Sequence, residues 1–329
     1  MSMPIRKVII DCDPGIDDAV ALCLALFDPD IEILAITSVE GCVSAHQANR
    51  NVQSILEQLD PDRHPRLGAA SPAENAPAVN TRFLHGDSGL GNLNWNVSEL
   101  HHQHPSEKVI ADTVRANPGD VTIISLGPLT NIARAFQRDP GLAGLINRLI
   151  IMGGSMTGVG NITASAEFNI YYDPHSARAV FRSKTTKTLI PLDITRQVVW
   201  YMDLLETIPS VTSRAGRLLR GLLPYSFRAY RQQLGQECIQ LNDVIALMAA
   251  ISPELIQAEE IAGDVEVQGE LTQGMTIFDR RPHPEWSCNM EVATVIDVPR
   301  IRQKVMDGLQ RAGELLSLIH ISEPTRRLC

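Results

Sequence analysis

The chain has 329 residues, of which 44% are hydrophobic and 20% are charged, so its composition is that of an ordinary globular protein. This composition excludes an intrinsically disordered chain and supplies enough apolar side chains for a large core. The net charge of −9 argues against a nucleic-acid-binding scaffold, which is normally basic, and we expect no nucleic acid among the partners.

Features of membrane and secreted proteins are missing from the sequence. It has no stretch of about 18 consecutive apolar residues, so we expect neither a membrane-spanning segment nor a membrane partner. Its first residues lack the apolar core typical of a secretory leader. The six cysteines show neither C-x-x-C pairs nor zinc-type spacing, which favours a reduced compartment. Together these features predict a cytoplasmic protein.

The first part of the chain alternates between apolar strands and helices. In chain order the pattern predicts a strand over 7–10, a helix over 19–27, a strand over 31–39 and a helix over 44–59. Ser44 and Gln47 have the spacing of a capping box, which is why the second helix is expected to begin there. Proline-rich residues 61–79 and glycine-rich residues 85–94 are expected to form loops.

The alternation resumes after residue 105. The sequence predicts helices over 106–116, 130–138 and 174–182 and strands over 121–126, 148–152 and 188–192. A mainly helical stretch follows over 201–251, then strand-like runs over 261–267, 275–278 and 292–296, and a helix over 299–315. Strands that alternate with helices predict an α/β fold with an open, mostly parallel, Rossmann-like sheet flanked by helices. The helical residues near 200–235 are interpreted as an insertion over the pocket.

The chain contains neither an internal repeat nor a linker-like composition, so we expect a single domain over residues 1–316. The last residues, 317–329, read SLIHISEPTRRLC and follow a complete helix without any helical or strand period. Two interpretations stay open for this tail: translated vector or adapter sequence, and a natural frayed terminus. In both cases we expect it to be unstructured and without a role in function.

Four carboxylates stand close together after the first predicted strand: Asp11, Asp13, Asp17 and Asp18. Ligands of open α/β sheets bind outside the carboxyl ends of the strands, which is where this cluster is expected to lie. Carboxylates at such spacing repel one another unless a cation or hydrogen-bond donors compensate them. Ligation by oxygen alone favours Ca²⁺ or Mg²⁺ over zinc. The cluster therefore predicts a site for a hard divalent cation.

Two known patterns of acidic residues fit this cluster poorly. An EF-hand loop starting at Asp11 needs Gly and Glu at its sixth and twelfth positions, which are Ile16 and Leu22 here. A haloacid-dehalogenase-type phosphatase has a D-x-D motif after a strand but usually has Thr or Val where this chain has Gly15. It also leaves the second acidic pair unexplained.

The run VIIDCDPGIDDA, from Val8 to Ala19, resembles the D-x-D-P-G-x-D-D fingerprint of the nucleoside hydrolases, which are inosine- and uridine-preferring N-ribohydrolases. Further blocks resemble the same family: Gly127-Pro128-Leu129-Thr130-Asn131, Met152-Gly153-Gly154, Ala166-Glu167-Phe168-Asn169-Ile170 and Leu241-Asn242-Asp243. The resemblance covers about residues 5–315. It implies an enzyme that hydrolyses the N-glycosidic bond of small-molecule nucleosides to a free base and ribose. It also implies a homodimer or homotetramer.

The resemblance implies a role for each matching residue. A Ca²⁺ ion would be held by the side chains of Asp13, Asp18 and Asp243 and by the backbone carbonyl of Leu126. Asp13 would also be the general base that activates water, and Asp11 would orient its neighbours from behind. The expected substrate contacts are Asp17, Cys42, Met152, Asn161, Glu167 and Asn169, with His85 and Tyr230 as further candidates near the leaving base. Such carboxylates suit an oxocarbenium-like transition state, whose positive charge they stabilise.

Two residues depart from the family pattern. Many members have His immediately before the last metal-binding Asp, where it protonates the leaving base, but this chain has Asn242. An asparagine donates a hydrogen bond yet is no acid near neutral pH, so Asn242 is the candidate for hydrogen-bonding the leaving base. Cys42 stands where the family often has Asn. Two alternative functions stay open: a ribosyl-ligand-binding protein without turnover or with altered specificity, and a D-x-D-type phosphohydrolase.

Overall fold

The computed structural model describes residues 5–314 apart from 75–76, 78–81, 94, 96 and 98–102. The expected tail, 317–329, therefore lies outside the described residues. The described strands, in chain order, are β1 Arg6–Cys12, β2 Ile31–Ser38, β3 Arg66–Ala69, β4 His104–Pro105, β5 Val121–Ser125, β6 Arg148–Met152, β7 Lys187–Ile190, β8 Val199–Trp200, β9 Ile239–Gln240, β10 Ile256–Ile261, β11 Gly263–Val265, β12 Thr276–Phe278 and β13 Met290–Ile296.

Helices connect most of these strands. They are α1 Ile16–Leu26, α2 Ala45–Leu59, α3 Arg82–His85, α4 Ser106–Ala116, α5 Thr130–Arg138, α6 Phe168–Tyr172, α7 Pro174–Phe181, α8 Leu192–Thr195, α9 Leu204–Thr207, α10 Arg214–Ala229, α11 Asn242–Ile251 and α12 Val298–Glu314. A π-helical turn, Tyr230–Leu234, continues α10. Within the described part of the chain, no helix is both long and apolar enough to cross a bilayer.

Nine of the described strands form one sheet in the order β10-β13-β7-β6-β5-β1-β2-β3-β4. Only the β10–β13 pair is antiparallel, so the predicted mostly parallel α/β sheet is confirmed. From β1 the chain continues to β2 on one side, and β5, β6 and β7 follow on the other side. The gap between β1 and β5 is thus the point where the strand order reverses, and such switch points form ligand-binding crevices.

Helices cover both faces of the sheet because the central strands are apolar on both faces. Along β1, Val8 and Ile10 face the core under α1, α2, α10, α11 and α12, whereas Ile9 faces the core under α4, α5 and α7. All three β1 side chains are fully buried. A strand with no solvent-facing side reads as an unbroken apolar run, which is what made this segment predictable from the sequence.

Several boundaries differ from the predicted ones. The expected loop 61–79 contains β3, and α3 ends at the first residue of the expected loop 85–94. The strand-like run 261–267 is two strands, β10 and β11, and β10 begins five residues earlier. Its residues Glu259 and Glu260 are exposed at the edge of the sheet, so the segment lacks the apolar pattern of a buried strand.

Candidate active site

A cavity of about 290 Å³ opens at the carboxyl ends of β1, β5 and β6, next to the switch point. Of the site residues predicted from the sequence, all except Asp11 line this cavity. They are Asp13, Asp17, Asp18, Cys42, His85, Leu126, Met152, Asn161, Glu167, Asn169, Tyr230, Asn242 and Asp243. The π-helical turn after α10 contributes Tyr230 and Leu234, so part of the helical insertion does border the pocket.

Three carboxylates meet where the first turns of two helices converge. Oxygens of Asp17 and Asp18, in α1, and of Asp243, in α11, lie within 4.8 Å of one another. Helix N-termini favour negative charge, which helps to hold carboxylates there. Asp18 Oδ2 accepts a 2.8 Å hydrogen bond from the backbone N–H of Gly15. Its Oδ1 is buried, and none of the described residues donates a hydrogen bond to it.

This carboxylate triad has the donor chemistry of a divalent cation site. Burial, followed by repulsion from Asp17, raises the pKa of Asp18 to about 7. Burial and the neighbouring carboxylates also raise the pKa of Asp243 well above its usual range. A hard cation would remove this repulsion and supply the partner that Asp18 Oδ1 lacks. The residues present therefore fit Ca²⁺ or Mg²⁺.

Asp13 lies beside the triad, and its carboxylate packs closely against two glycines. Its Oδ2 accepts a 2.7 Å hydrogen bond from the backbone N–H of Cys42. A Cβ atom at Gly41 would lie 2.2 Å from Oδ2, and one at Gly127 would lie 2.6 Å from Oδ1. Burial, and then repulsion from Asp18, raises the pKa of Asp13 well above its usual range.

The expected ligand set and the triad in the structure share two members. Asp18 and Asp243 belong to both, whereas the triad within 4.8 Å has Asp17 where the resemblance implies Asp13. The Leu126 carbonyl, the expected backbone ligand, accepts a 2.6 Å hydrogen bond from Asn169 Nδ2. A carbonyl oxygen has a second lone pair, so this bond leaves room for a cation.

Asp11 does not line the cavity and is fully buried. Its Oδ1 accepts hydrogen bonds from Thr37 Oγ1, at 2.6 Å, and from Asn131 Nδ2, at 2.8 Å. Burial raises the pKa of Asp11 to about 7, although these two bonds oppose the shift. Asn131 also donates to the Ser38 carbonyl, so the group ties the ends of β1 and β2 to helix α5.

Glu167 and Asn169 organise the opposite wall. Glu167 caps α6: its Oε1 accepts from the Asn169 N–H at 3.0 Å, and its Oε2 accepts from the N–H groups of Gly154 and Ile170 at 3.0 and 3.2 Å. Burial raises the pKa of Glu167 to about 7. Asn161 Oδ1 accepts a 2.9 Å bond from the Phe168 N–H, which brings Asn161 beside Glu167.

His85 and Asn242 lie on the side of the cavity that faces α3 and α11. His85 Nδ1 accepts a 3.1 Å hydrogen bond from the backbone N–H of Ile16, so its proton is on Nε2. Burial lowers the pKa of His85, which favours this neutral form, although Asp17 opposes the shift. Asn242 Oδ1 is buried and has no hydrogen-bond partner among the described residues. Tyr230 donates a 3.4 Å bond to the Gln240 carbonyl.

Eight residues that line the cavity were not predicted as site residues from the sequence. They are Phe83, Leu84, Ile162, Phe168, Arg196, Leu234, Gln236 and Gln240. Arg196 follows the carboxyl end of β7 by six residues, and that position at the binding edge of the sheet was the available signal. The apolar residues among them gave no signal, since an apolar residue at a cavity wall reads like one in the core.

Comparison with known proteins gives one consistent result. A family model described as inosine-uridine preferring nucleoside hydrolase matches residues 8–303. The chain is 31% identical over 313 residues to the inosine-uridine preferring nucleoside hydrolase of Crithidia fasciculata, covering 94% of this chain and 99% of that relative. It is 36% identical over 309 residues to the non-specific ribonucleoside hydrolase RihC of Escherichia coli (strain SMS-3-5 / SECEC), covering 93% and 99%. The structure of a purine-preferring ribonucleoside hydrolase from Gardnerella vaginalis matches with a TM-score of 0.86 and 29% identity over 94% and 99% of the two chains.

Proposed function

Since the chain belongs to the inosine-uridine preferring nucleoside hydrolase family, whose members hydrolyse the N-glycosidic bond of ribonucleosides, we propose that calcium is its metal and Asp13 its general base. The observation that carries this proposal is the position of Asp13 beside the Asp17–Asp18–Asp243 triad in a single cavity. The alternative function, a D-x-D-type phosphohydrolase, has no comparable support. The match to the nucleoside hydrolase family spans residues 8–303 and includes the D-x-D motif itself.

Asp18 and Asp243 would hold the calcium ion, with Asp13 and the Leu126 carbonyl completing the set and Asp17 close enough to join it. Calcium bound there would polarise a water molecule and the ribose 2′- and 3′-hydroxyls. The Cys42 N–H fixes Asp13 Oδ2 and leaves Oδ1 as the oxygen without that bond. A bound cation would offset the burial and repulsion that raise the pKa of Asp13 and would keep this carboxylate ionised, which is the form that removes a proton from water.

The remaining residues would orient the ribose. In this proposal Asp17 and Asn169 bind the 2′- and 3′-hydroxyls, and Asn161 and Glu167 bind the 5′-hydroxyl; all four line the cavity. Met152 would line the sugar face, and Asp11 would steady the chain just before Asp13 through its bonds to Thr37 and Asn131. Fixed orientation of this kind contributes up to roughly 7–11 kcal/mol to lowering a barrier. The negative charge of the nearby carboxylates stabilises the oxocarbenium-like transition state.

The leaving base would contact neutral hydrogen-bonding groups. His85 Nε2–H and the Asn242 amide are donors at this side of the cavity, and Tyr230, Gln236 and Gln240 lie nearby. Amide side chains both donate and accept, so they select weakly between purine and pyrimidine bases. We therefore expect both classes of ribonucleoside as substrates, in line with the name of the non-specific relative.

The decisive experiment measures reducing-sugar release from a panel of purine and pyrimidine ribonucleosides, before and after chelation with EGTA. We expect release that EGTA abolishes and Ca²⁺ restores. Ligand binding without turnover in the Ca²⁺-loaded protein would instead establish a binding protein. Asn242 and Cys42, which depart from the family pattern, would then be the first residues to test as the cause of the lost activity. Release of phosphate from phosphomonoesters would establish the phosphohydrolase. Light scattering of the same samples tests the expected homodimer or homotetramer.

A further inference from the structure

The loop between β6 and α6, residues 153–167, forms the wall of the cavity that carries Asn161. We propose that Asp193 and Arg196 are positioning residues that hold this loop so that Asn161 faces the 5′-hydroxyl of the ribose. The inference rests on the proposed function, which places that hydroxyl beside Asn161 and Glu167.

Asp193 holds the first half of the loop. Its Oδ2 accepts a 2.6 Å hydrogen bond from the Met156 N–H. Its Oδ1 accepts from both the backbone N–H and the hydroxyl of Thr157, at 3.1 and 2.7 Å. Burial opposes ionisation, but the bonds from Thr157 and Met156 leave the pKa of Asp193 below its usual value. The carboxylate is therefore charged at neutral pH, and hydrogen bonds to a charged group are the strong ones.

Arg196 holds the second half of the same loop. Its Nη1 donates to the Val159 carbonyl at 3.2 Å, and its Nη2 donates to the Gly160 carbonyl at 2.7 Å. Gly160 immediately precedes Asn161. The guanidinium thus fixes the direction of the chain one residue before the expected contact with the substrate, and it also borders the cavity itself.

The internal bonds of the loop leave the side-chain amide nitrogen of Asn161 for a ligand. The Asn161 N–H donates to the Ala166 carbonyl at 3.1 Å, and its Oδ1 accepts from the Phe168 N–H at 2.9 Å. Among the described residues no acceptor is assigned to its Nδ2, so this amide is the group that remains for the substrate. Gly160 admits no larger residue here, because a Cβ atom would lie 2.2 Å from the carbonyl oxygens of Thr163 and Ala166.

Both anchors belong to one rigid piece of the fold. Asp193 lies within α8 and Arg196 follows its last residue, directly after the buried strand β7. The Leu192 N–H donates to the Gly154 carbonyl at 3.0 Å, which joins this segment to the start of the loop. A loop gains a fixed shape from bonds to such an element, so loss of these bonds would let Asn161 move away from the 5′-hydroxyl and weaken that one contact.

The kinetic test compares a ribonucleoside that the wild-type enzyme hydrolyses with its 5′-deoxy analogue. We expect Arg196→Ala to raise KM for the ribonucleoside about tenfold, as for the loss of one hydrogen bond to the substrate, with kcat nearly unchanged. Both constants for the 5′-deoxy analogue should stay within about twofold, because that analogue lacks the contact. An equal loss on both substrates would show a general structural defect and overturn the proposal.

Asn161→Ala should reproduce this pattern, and the Asn161→Ala/Arg196→Ala double variant should be no worse than Asn161→Ala alone. Additive losses would mean that Arg196 acts independently of Asn161. Arg196→Lys covers the case in which the alanine variant folds poorly. Lysine keeps the charge but lacks the fork of two nitrogens that donate separately to the Val159 and Gly160 carbonyls, so an intermediate KM is expected.

A matched control and a readout without substrate complete the design. Arg217 also donates to two consecutive loop carbonyls, those of Val211 and Thr212, but it lies on α10 and does not line the cavity. We expect faster amide hydrogen exchange over 156–161 in Arg196→Ala and Asp193→Asn, and none of this change in Arg217→Ala. Unchanged exchange in the first two variants would overturn the proposal. A wild-type enzyme that hydrolyses no ribonucleoside would instead contradict the proposed function, independently of the exchange result.

Discussion

The side-chain amide of Asn169 donates a 2.6 Å hydrogen bond to the backbone carbonyl of Leu126. The same Nδ2 atom lies 3.2 Å from the Met152 carbonyl. One nitrogen therefore joins the residue after β5, the last residue of β6 and the first turn of α6. It does so at the carbonyl that is proposed to bind calcium, so Asn169 would set the direction of this proposed ligand in addition to its proposed contact with the ribose.

Asn169→Asp should disable the site more than it destabilises the fold. The substitution keeps the shape of the side chain but places a carboxylate oxygen against two carbonyls that need a donor. We expect kcat/KM to fall by about 100-fold or more and the EGTA concentration for half-inactivation to decrease. Steady-state kinetics with a chelator titration measures both effects.

Asn289→Asp is the control for this substitution. Asn289 Nδ2 also donates to two carbonyls, those of Phe181 and Gly263, but outside the cavity. It should lower the melting temperature and leave KM and chelator sensitivity unchanged. Equal kinetic effects of the two variants would contradict the assignment of Asn169 to the site.

Asp13→Ala should abolish turnover, and the isosteric Asp13→Asn should lower kcat by about 1,000-fold, in the range expected for loss of a general base. In the metal-free protein, Asp13→Asn should also raise the melting temperature by about 2 °C or more, because it relieves repulsion between buried carboxylates. Calorimetry in EGTA beside an activity assay in Ca²⁺ tests both signs.

Asp139 is the control for Asp13, because removal of its charge should affect neither turnover nor stability in the same way. This half-buried carboxylate forms a bidentate pair with Arg115, whose hydrogen bond lowers the pKa of Asp139. Asp139→Asn should leave kcat unchanged and bring no stabilisation. Activity retained in Asp13→Ala would remove Asp13 from its proposed role.

Gly41→Ala tests whether the backbone holds Asp13 in place. Its Cβ atom would lie 2.2 Å from Asp13 Oδ2, so either the carboxylate or the loop must move. We expect a loss of about 100-fold in kcat, since misplacement of a catalytic group by about 1 Å has that cost. Gly144→Ala is the matched control, because nothing lies within 4 Å of a Cβ atom there. A kcat within twofold of the wild type in both variants would contradict the prediction.

Lys187 gives the protein a pH-dependent stability outside the site. Its side chain is buried, with Nζ donating to the carbonyls of Ser183 and Asn289 at 2.9 and 2.8 Å, and burial lowers its pKa from 10.5 to about 8. Between these two values the unfolded chain binds more protons than the folded one, so this lysine makes stability rise with pH. Urea unfolding should show this rise between pH 8 and 10 in the wild type.

Lys187→Met should remove that contribution. The free energy of unfolding should therefore rise more with pH in the wild type than in the variant. Lys184→Met, at an exposed position three residues earlier, should leave the pH dependence of stability unchanged. A constant difference between wild type and Lys187→Met over this pH range would show that Lys187 has an ordinary pKa in the folded protein.

The parts of the fold that follow from local pattern were predictable. The helices α4 and α5 and the strand β6 begin and end where the sequence predicts, because apolar periodicity and nearby Pro or Gly residues mark both ends. Strand β10 was misplaced because its polar residues are exposed at an edge. Its position there depends on pairing with β13, which lies far along the chain and leaves no local signal.

The candidate site was likewise predictable only in part. The acidic run and the family resemblance named the residues that meet in the cavity, but not the distances between them. Adjacent residues of a helix project in different directions, so Asp17 and Asp18 were expected to serve different ligands. The structure instead brings oxygens of both within 4.8 Å of Asp243. Arg196 was missed because its importance comes from a loop more than thirty residues earlier in the chain.

Both ends of the nine-stranded sheet resist further strand pairing. At one end β10 carries the exposed side chains Glu259 and Glu260, and at the other end β4 has only two residues, one of them Pro105. Charges repel a docking strand, and proline lacks the N–H that pairing needs. Any self-association of this enzyme would therefore use helices and loops rather than a joining of two sheets into one.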